Sequence, residues 1–119
     1  MRIGIDTSVL NINQAGTATY VRNLIDELKK IVPPDMLFLF TVNHRRDMSR
    51  PKSFRSRVET IYWDIIWAHF VLPRRARREK IDVLHVPAKV TPVFPSCPAV
   101  LTILDTTVFQ TPENFPFWY

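Results

Sequence analysis

Three side chains capable of acid–base chemistry stand at or near the ends of apolar, strand-like runs. Asp6 closes "RIGID", His85 lies in "DVLHV" and Asp105 closes "AVLTILD". Carboxylates and imidazoles can orient a substrate hydroxyl or move its proton. Each residue also has a structural interpretation: the first could accept backbone hydrogens from the loop after it, the second could be a core histidine, and the third could cap a turn. If the runs are neighbouring parallel strands, the fold brings all three residues to one edge of a sheet.

A fourth candidate is Gly16, one of two glycines in the chain, in the stretch "NQAGTATYVRNLI". It directly precedes a helical pattern, and a helix start offers unpaired amides and partial positive charge to an anion. A glycine there lets the backbone approach a phosphate closely. The stretch does not match G-x-G-x-x-G, because Ala18 replaces a second glycine, and it does not match the P-loop. It predicts a small anion-facing turn, with a simple turn as the structural alternative.

Apolar patterning predicts the elements that would position these residues. Five strand-like runs lie at residues 2–6, 36–42, 57–63, 82–86 and 99–105. Near-continuous apolar strands are typical of a parallel sheet that is covered on both faces. We therefore expect an α/β domain: a Rossmann-like, doubly wound, mostly parallel sheet with helices on both faces.

Two helices are predicted between the strands. The first has apolar residues at a spacing close to 3.6, with Thr17 or Thr19 as its cap and the pair Pro33-Pro34 as its stop. The second has a clear apolar stripe over residues 63–71. Pro73 should kink or divide this second helix, because proline removes one backbone donor.

The chain is basic, with a formal net charge of +5. The excess lies in two runs, residues 44–57 and 74–80. Such runs could attract anionic partners, such as a membrane surface or nucleic acid, but a solvated helix end and a solvated loop are the favoured interpretation. Aromatic residues are not interleaved with the arginines, which disfavours a stacking site for single-stranded nucleic acid.

The remaining sequence features bound the class of protein. At 119 residues the chain makes one domain at most, and a single cysteine, Cys97, cannot form an internal disulfide. The longest apolar run, 36–42, is far shorter than the roughly 20 residues of a membrane span. The N-terminus lacks an apolar signal region, so we expect a cytoplasmic protein. No cluster of His, Cys and carboxylates has metal-ligand spacing, and we expect no metal.

Three segments resemble one protein family. They are "MRIGIDTSVLNINQAGTATYVRNLIDEL", "WDIIWAHFVLPRRARREKIDVLHVPAKVTPVFPSCPAVLTILD" and "FQTPENFP". Their order and spacing are similar to the N-terminal half of group-1 retaining glycosyltransferases, which have the GT-B fold of two Rossmann-like domains. The resemblance covers nearly the whole chain apart from residues 43–56. It implies that residues 1–119 are an acceptor-side domain, truncated at its C-terminal end, of a hexosyltransferase-type enzyme.

The resemblance also implies roles for individual residues. Gly16 and Thr17 would face the diphosphate of a nucleotide-sugar donor, which is the substrate and not a resident cofactor. His85 and Lys89, in "HVPAK", would lie at the acceptor-side rim. We expect Asp105 and His85 to be catalytic, and Asp6 and Lys89 to bind a carbohydrate or lipid-linked acceptor. The C-terminal domain, which would hold the donor, is missing from these residues.

Two departures from the family pattern stand out. Ala18 takes the place of a frequent second glycine, and Leu104 takes the place of a frequent histidine before Asp105. Without the donor domain, the 119-residue chain should be inactive. Its aromatic end, "FQTPENFPFWY", should favour self-association. The competing hypotheses are a non-enzymatic basic module that binds an anionic membrane surface or nucleic acid, and an inactive relic of a transferase.

Overall fold

The centre of the computed structural model is a parallel β-sheet. The structure describes residues 1–11, 16–42, 65–87, 91–104 and 110. Its four strands are β1 (Ile3–Asp6), β2 (Leu37–Phe40), β3 (Val83–Val86) and β4 (Ala99–Leu101). They lie in the order β2-β1-β3-β4, and every neighbouring pair is parallel. The predicted α/β class with a mostly parallel sheet is confirmed for these strands, and the strand predicted at 57–63 falls outside the described residues.

Helix α1 (Gly16–Ile31) follows β1 and packs on the sheet through one stripe. Its buried residues are spaced three and four positions apart: Ala18, Val21 and Ile25. The helix ends before Pro33, as the sequence predicts. Its start differs from the prediction, because Thr17 and Thr19 lie inside the first turn and do not precede the helix as caps. Two short 3-10 turns flank this region, Ser8–Asn11 and Pro34–Met36.

The second helix changes its type and does not break. A π-helical turn (Trp67–Val71) leads directly into α2 (Leu72–Arg78), and the amide of Leu72 donates to the carbonyl of Trp67, five residues earlier. In a regular α-helix, the ring of Pro73 would clash with the carbonyl four residues before it. The wider π turn gives that ring room. The kink or division predicted at Pro73 is therefore replaced by a transition from π to α geometry.

Apolar side chains form two separate clusters, which contain alternate residues of the strands. Since consecutive side chains of a strand point to opposite faces, the two clusters lie on opposite sides of the sheet. The α1-side cluster contains Ile5, Val21 and Ile25. The α2-side cluster contains Phe40, Trp67, Leu72, Ala76, Ile81, Leu84 and Val86.

Gly4 permits close packing on the α2 side of β1. A Cβ added at this residue would lie 2.7 Å from Cε2 of Phe40 and 3.1 Å from Cγ2 of Ile81. Both neighbours are buried in the α2-side cluster, so neither can move away without disturbing the core. Packing therefore requires a residue without a side chain at the centre of β1.

Strand β4 stands at one end of the described sheet and is exposed along its length. The apolar residues on either side of it are also exposed: Val93, Phe94, Ile103 and Leu104. Exposed apolar surface of this kind is typical of interaction sites. It supports the expected self-association, which stays a prediction.

Candidate functional site

The strand order places a candidate ligand site beyond the carboxyl ends of β1 and β3. From β1 the chain moves outward to β2, and then crosses back to form β3 and β4 on the other side of β1. Ligands of open parallel sheets bind where the order reverses in this way. Ile5 pairs with His85 in the register of the two strands, so Asp6 and His85 do share one edge of the sheet. The predicted common edge is confirmed for these two residues.

Asp6 is tightly held at this edge. Its side chain is 4% exposed, and Oδ1 accepts hydrogen bonds from the indole Nε1 of Trp67 at 3.2 Å and from the amide of Ser8 at 3.0 Å. The second bond is a local turn in which an aspartate binds the backbone two residues on. The structural interpretation of Asp6, a carboxylate that accepts backbone hydrogens in its own loop, is therefore what the geometry shows.

Thr7 fixes the end of β1 to the end of β2. Its amide donates to the carbonyl of Phe40 at 2.8 Å, and its hydroxyl donates to the same oxygen at 3.1 Å. The hydroxyl also lies 2.6 Å from Oγ1 of Thr41. These bonds satisfy the polar groups of a buried residue and make this part of the edge rigid.

His85 is half-buried and has a different set of neighbours. Its Nε2 lies 2.8 Å from Oγ1 of Thr102, and that oxygen lies 3.4 Å from the phenol oxygen of Tyr20. The rings of Tyr20 and His85 meet edge to face, with their centroids 6.3 Å apart. Burial lowers the pKa of His85, because desolvation disfavours the charged imidazolium. Burial at this position therefore favours the neutral imidazole.

The side chains of Asp6 and His85 point to opposite faces of the sheet. His85 shares its face with Ile5, its partner in the register, and consecutive residues of β1 alternate in direction. The contacts agree, since Asp6 bonds to Trp67 of the α2-side cluster while His85 contacts Tyr20 on α1. The fold thus brings the two residues to one edge, but it does not direct them at the same ligand atom.

Thr102 and Tyr20 are the site residues that sequence reasoning missed. Tyr20 fits the apolar stripe of α1, a position where packing is the expected role, and Thr102 is a single hydroxyl within an apolar run. Thr102 lies inside the run that was predicted as a strand, 99–105, and its hydroxyl within that apolar run was the available signal. Its partnership with residues 82 and 17 positions away is visible only in three dimensions.

The start of α1 has free space around its glycine. Gly16 is exposed, its φ is not positive, and a Cβ added to it would meet no atom of the described residues within 4 Å. The packing of the described residues therefore does not require a glycine at this position. Thr17 lies in the same first turn. Two other predicted site residues, Lys89 and Asp105, fall outside the described residues.

A basic surface lies on α2. The guanidinium of Arg75 stands 5.3 Å from the ring centroid of Trp67, and that of Arg74 stands 5.8 Å from the ring centroid of Phe70. A cavity of about 390 Å³ between β2 and α2 has an aromatic and charged lining: Phe38, Leu39, Phe40, Arg75, Arg78 and Glu79. The described part of the chain has one ion pair, which joins Lys30 to Glu27 on α1 and includes none of the residues that line this cavity. The other predicted basic run, 44–57, is not among the described residues.

The described residues contain no candidate metal site and no candidate membrane span. No group of three or more His, Cys, Asp or Glu side chains in these residues is placed to hold a metal ion. None of the described helices has the length and apolar character needed to cross a bilayer.

Comparisons with protein-family models, with curated proteins and with solved structures found no match to this chain.

Proposed function

We propose that this chain is the N-terminal, acceptor-side part of a retaining glycosyltransferase of the GT-B fold, and that it uses a nucleotide-diphosphate sugar. The observation that carries the proposal is the reversal of strand order between β1 and β3 at the edge where α1 begins. The core clusters on opposite faces of the sheet support a doubly wound, Rossmann-like classification. Such an enzyme acts in the cytoplasm, and at the inner membrane face if its acceptor is lipid-linked.

The start of α1 would serve the departing diphosphate. A retaining transfer builds positive charge on the sugar ring and negative charge on the leaving group, so oriented donors at the diphosphate lower the barrier. The first-turn amides of a helix are such donors. The open space around Gly16 leaves room for a phosphate to approach them.

The cluster formed by Tyr20, His85 and Thr102 would serve the acceptor. Its two hydroxyls and one imidazole can exchange hydrogen bonds with sugar hydroxyls, and the aromatic rings offer an apolar surface beside them. Asp6, through Ser8 and Trp67, would shape the edge from the opposite face. Lys89 and Asp105 keep the acceptor-binding and catalytic roles that the family resemblance implies.

Calorimetric titration with UDP-glucose and GDP-mannose tests this function. We expect weak binding by the wild type, because the start of α1 would contact the donor's diphosphate although the rest of the donor site would lie on the C-terminal domain. We expect loss of this binding in Gly16→Val, because the branched side chain occupies the space in front of the first-turn amides. Asn23→Val is the matched control: it places the same side chain at an exposed position two turns along α1, and it should bind like the wild type. Equal binding by both variants would contradict the proposed diphosphate site. Sugar transfer by the chain alone would contradict the need for a second domain.

A second candidate function is a basic module that binds an anionic membrane surface. The observation that favours it is the set of exposed arginines on α2 beside the aromatic cavity. Sedimentation with phosphatidylglycerol vesicles separates the two ideas. Binding that falls with salt, survives Gly16→Val and is lost in a double variant, Arg75→Glu with Arg78→Glu, would favour the module.

A further inference from the structure

The hydroxyl of Thr102 joins three elements of the fold. It follows β4 directly, and its Oγ1 lies 2.8 Å from Nε2 of His85 on β3 and 3.4 Å from the phenol oxygen of Tyr20 on α1. A threonine hydroxyl has one hydrogen to donate and two lone pairs that accept. It can therefore bond to both neighbours at once.

The sheet itself holds Thr102 in place. The backbone amide of Thr102 donates to the carbonyl of Val86 at 3.2 Å, which extends the β3–β4 ladder by one bond beyond the pair Val86 and Leu101. The hydroxyl is thus carried by a strand end whose backbone is fixed on the side of His85. A group supported in this way can fix the orientation of the ring that it contacts.

In the cluster of Tyr20, His85 and Thr102, only one arrangement of the hydrogen atoms lets both hydroxyl groups donate to another member of the cluster. Tyr20 donates to Thr102, and Thr102 donates to Nε2 of His85, so that each bond polarises the next. In the reverse arrangement the phenolic hydrogen would need another acceptor, and no other partner of that phenol is found among the described residues. When Nε2 accepts a hydrogen bond in neutral imidazole, the ring proton is on Nδ1.

We propose that Thr102 is a positioning residue that holds His85 in the Nδ1–H form, so that this N–H is offered as a hydrogen-bond donor to an oxygen of a bound ligand. Nδ1 has no hydrogen-bond partner in the described part of the chain. In this form His85 donates a hydrogen bond, and it does not act as a general base through Nδ1. The identity of the ligand oxygen as a sugar oxygen rests on the proposed function. The position of the proton on the His85 ring is independent of that function.

The test is nitrogen-15 NMR of the full chain with labelled histidine, recorded at a pH where His85 is neutral. We expect Nδ1 of His85 to show the chemical shift of a protonated nitrogen and Nε2 that of an unprotonated one. In Thr102→Val, which keeps the shape and removes the hydroxyl, the proton should move to Nε2, the form that free histidine side chains favour. Thr102→Ser restores the hydroxyl and should restore the wild-type pattern.

Two results would overturn the inference: a protonated Nε2 in the wild type, or an unchanged pattern in Thr102→Val. If Thr102→Val fails to fold, Tyr20→Phe replaces it. Loss of the phenol that donates to Thr102 should then give a mixture of His85 protonated on Nδ1 and His85 protonated on Nε2. The measurement needs no ligand. An Nδ1–H pattern in a protein that binds no nucleotide sugar would therefore support the role of Thr102 while the proposed function fails.

Discussion

Asp6 and His85 lie at the ends of neighbouring strands, one register position apart, and their surroundings differ. Asp6 is enclosed on the α2 side, where Trp67 and Ser8 both donate to one of its carboxylate oxygens. His85 is half-buried on the α1 side, where one ring nitrogen is held and the other has no partner among the described residues. The difference follows from the alternation of side chains along a strand. It indicates that the α2 side of this edge maintains the fold, while the α1 side is the one suited to a ligand.

Among the variants that test this difference, Trp67→Ala should have the largest effect on the free energy of unfolding. The change removes a buried indole from the α2-side cluster and also removes a donor to Asp6. Substitutions of this type typically lower the free energy of unfolding by about 3–5 kcal/mol. Urea denaturation followed by circular dichroism measures it. An average point mutation lowers the free energy of unfolding by about 1 kcal/mol. A smaller loss than this in Trp67→Ala would show that the contacts on the α2 side do not maintain the fold.

A smaller effect is expected from Gly4→Ala, with Gly16→Ala as its control. The added methyl group at Gly4 meets Phe40 at 2.7 Å, and overpacking of this kind costs about 1–3 kcal/mol. The same methyl group at Gly16 meets nothing within 4 Å, and alanine favours a helix over glycine. We expect Gly16→Ala to be neutral or slightly stabilising in the same denaturation experiment. Equal losses of stability in both variants would contradict the packing described for the two glycines.

The smallest effect concerns pH. Burial lowers the pKa of His85 in the folded state, so the unfolded chain binds its proton at a higher pH than the folded chain does. The free energy of unfolding should therefore decrease as the pH falls from the ordinary pKa of histidine, about 6.5, to the lower pKa of His85 in the folded chain. Below that lower pKa, His85 should cause no further change. His85→Gln should remove this part of the slope when unfolding is measured between pH 7.5 and 5. An identical slope in the variant would mean that His85 is as well solvated in the folded chain as in the unfolded one.

Local patterns were enough to predict α1 and the positions of the strands that the structure describes. The predicted length of the last strand, 99–105, was wrong, because β4 ends at Leu101 and residues 102–104 are not in a strand. The spacing of Val21 and Ile25 indicates one buried helix face, and Pro33 marks the end of the helix. The common edge of Asp6 and His85 also followed from the sequence, because it depends only on parallel strands. The prediction at Pro73 was incomplete, because a local rule does not say whether the helix breaks or widens into a π turn.

The directions of the site side chains could not be predicted in the same way. A shift of one residue in register reverses the face that a side chain occupies, and the sequence does not fix the register of separate strands. The indole that binds Asp6 lies 61 residues away, and the hydroxyl that binds His85 belongs to the next strand along the sheet. Such partnerships depend on the complete fold. Without them, Asp6 and His85 looked equivalent.

A ligand is expected at the α1 side of the edge between β1 and β3. Amide NMR of the labelled chain, titrated with UDP-glucose and GDP-mannose, detects binding at this site residue by residue. We expect one of these ligands to shift the amides of residues 16–20, which would face its diphosphate, together with those of His85 and Thr102, which would lie beside the sugar where it meets the acceptor. Shifts confined to residues 67–78, or no shift with either ligand, would contradict it.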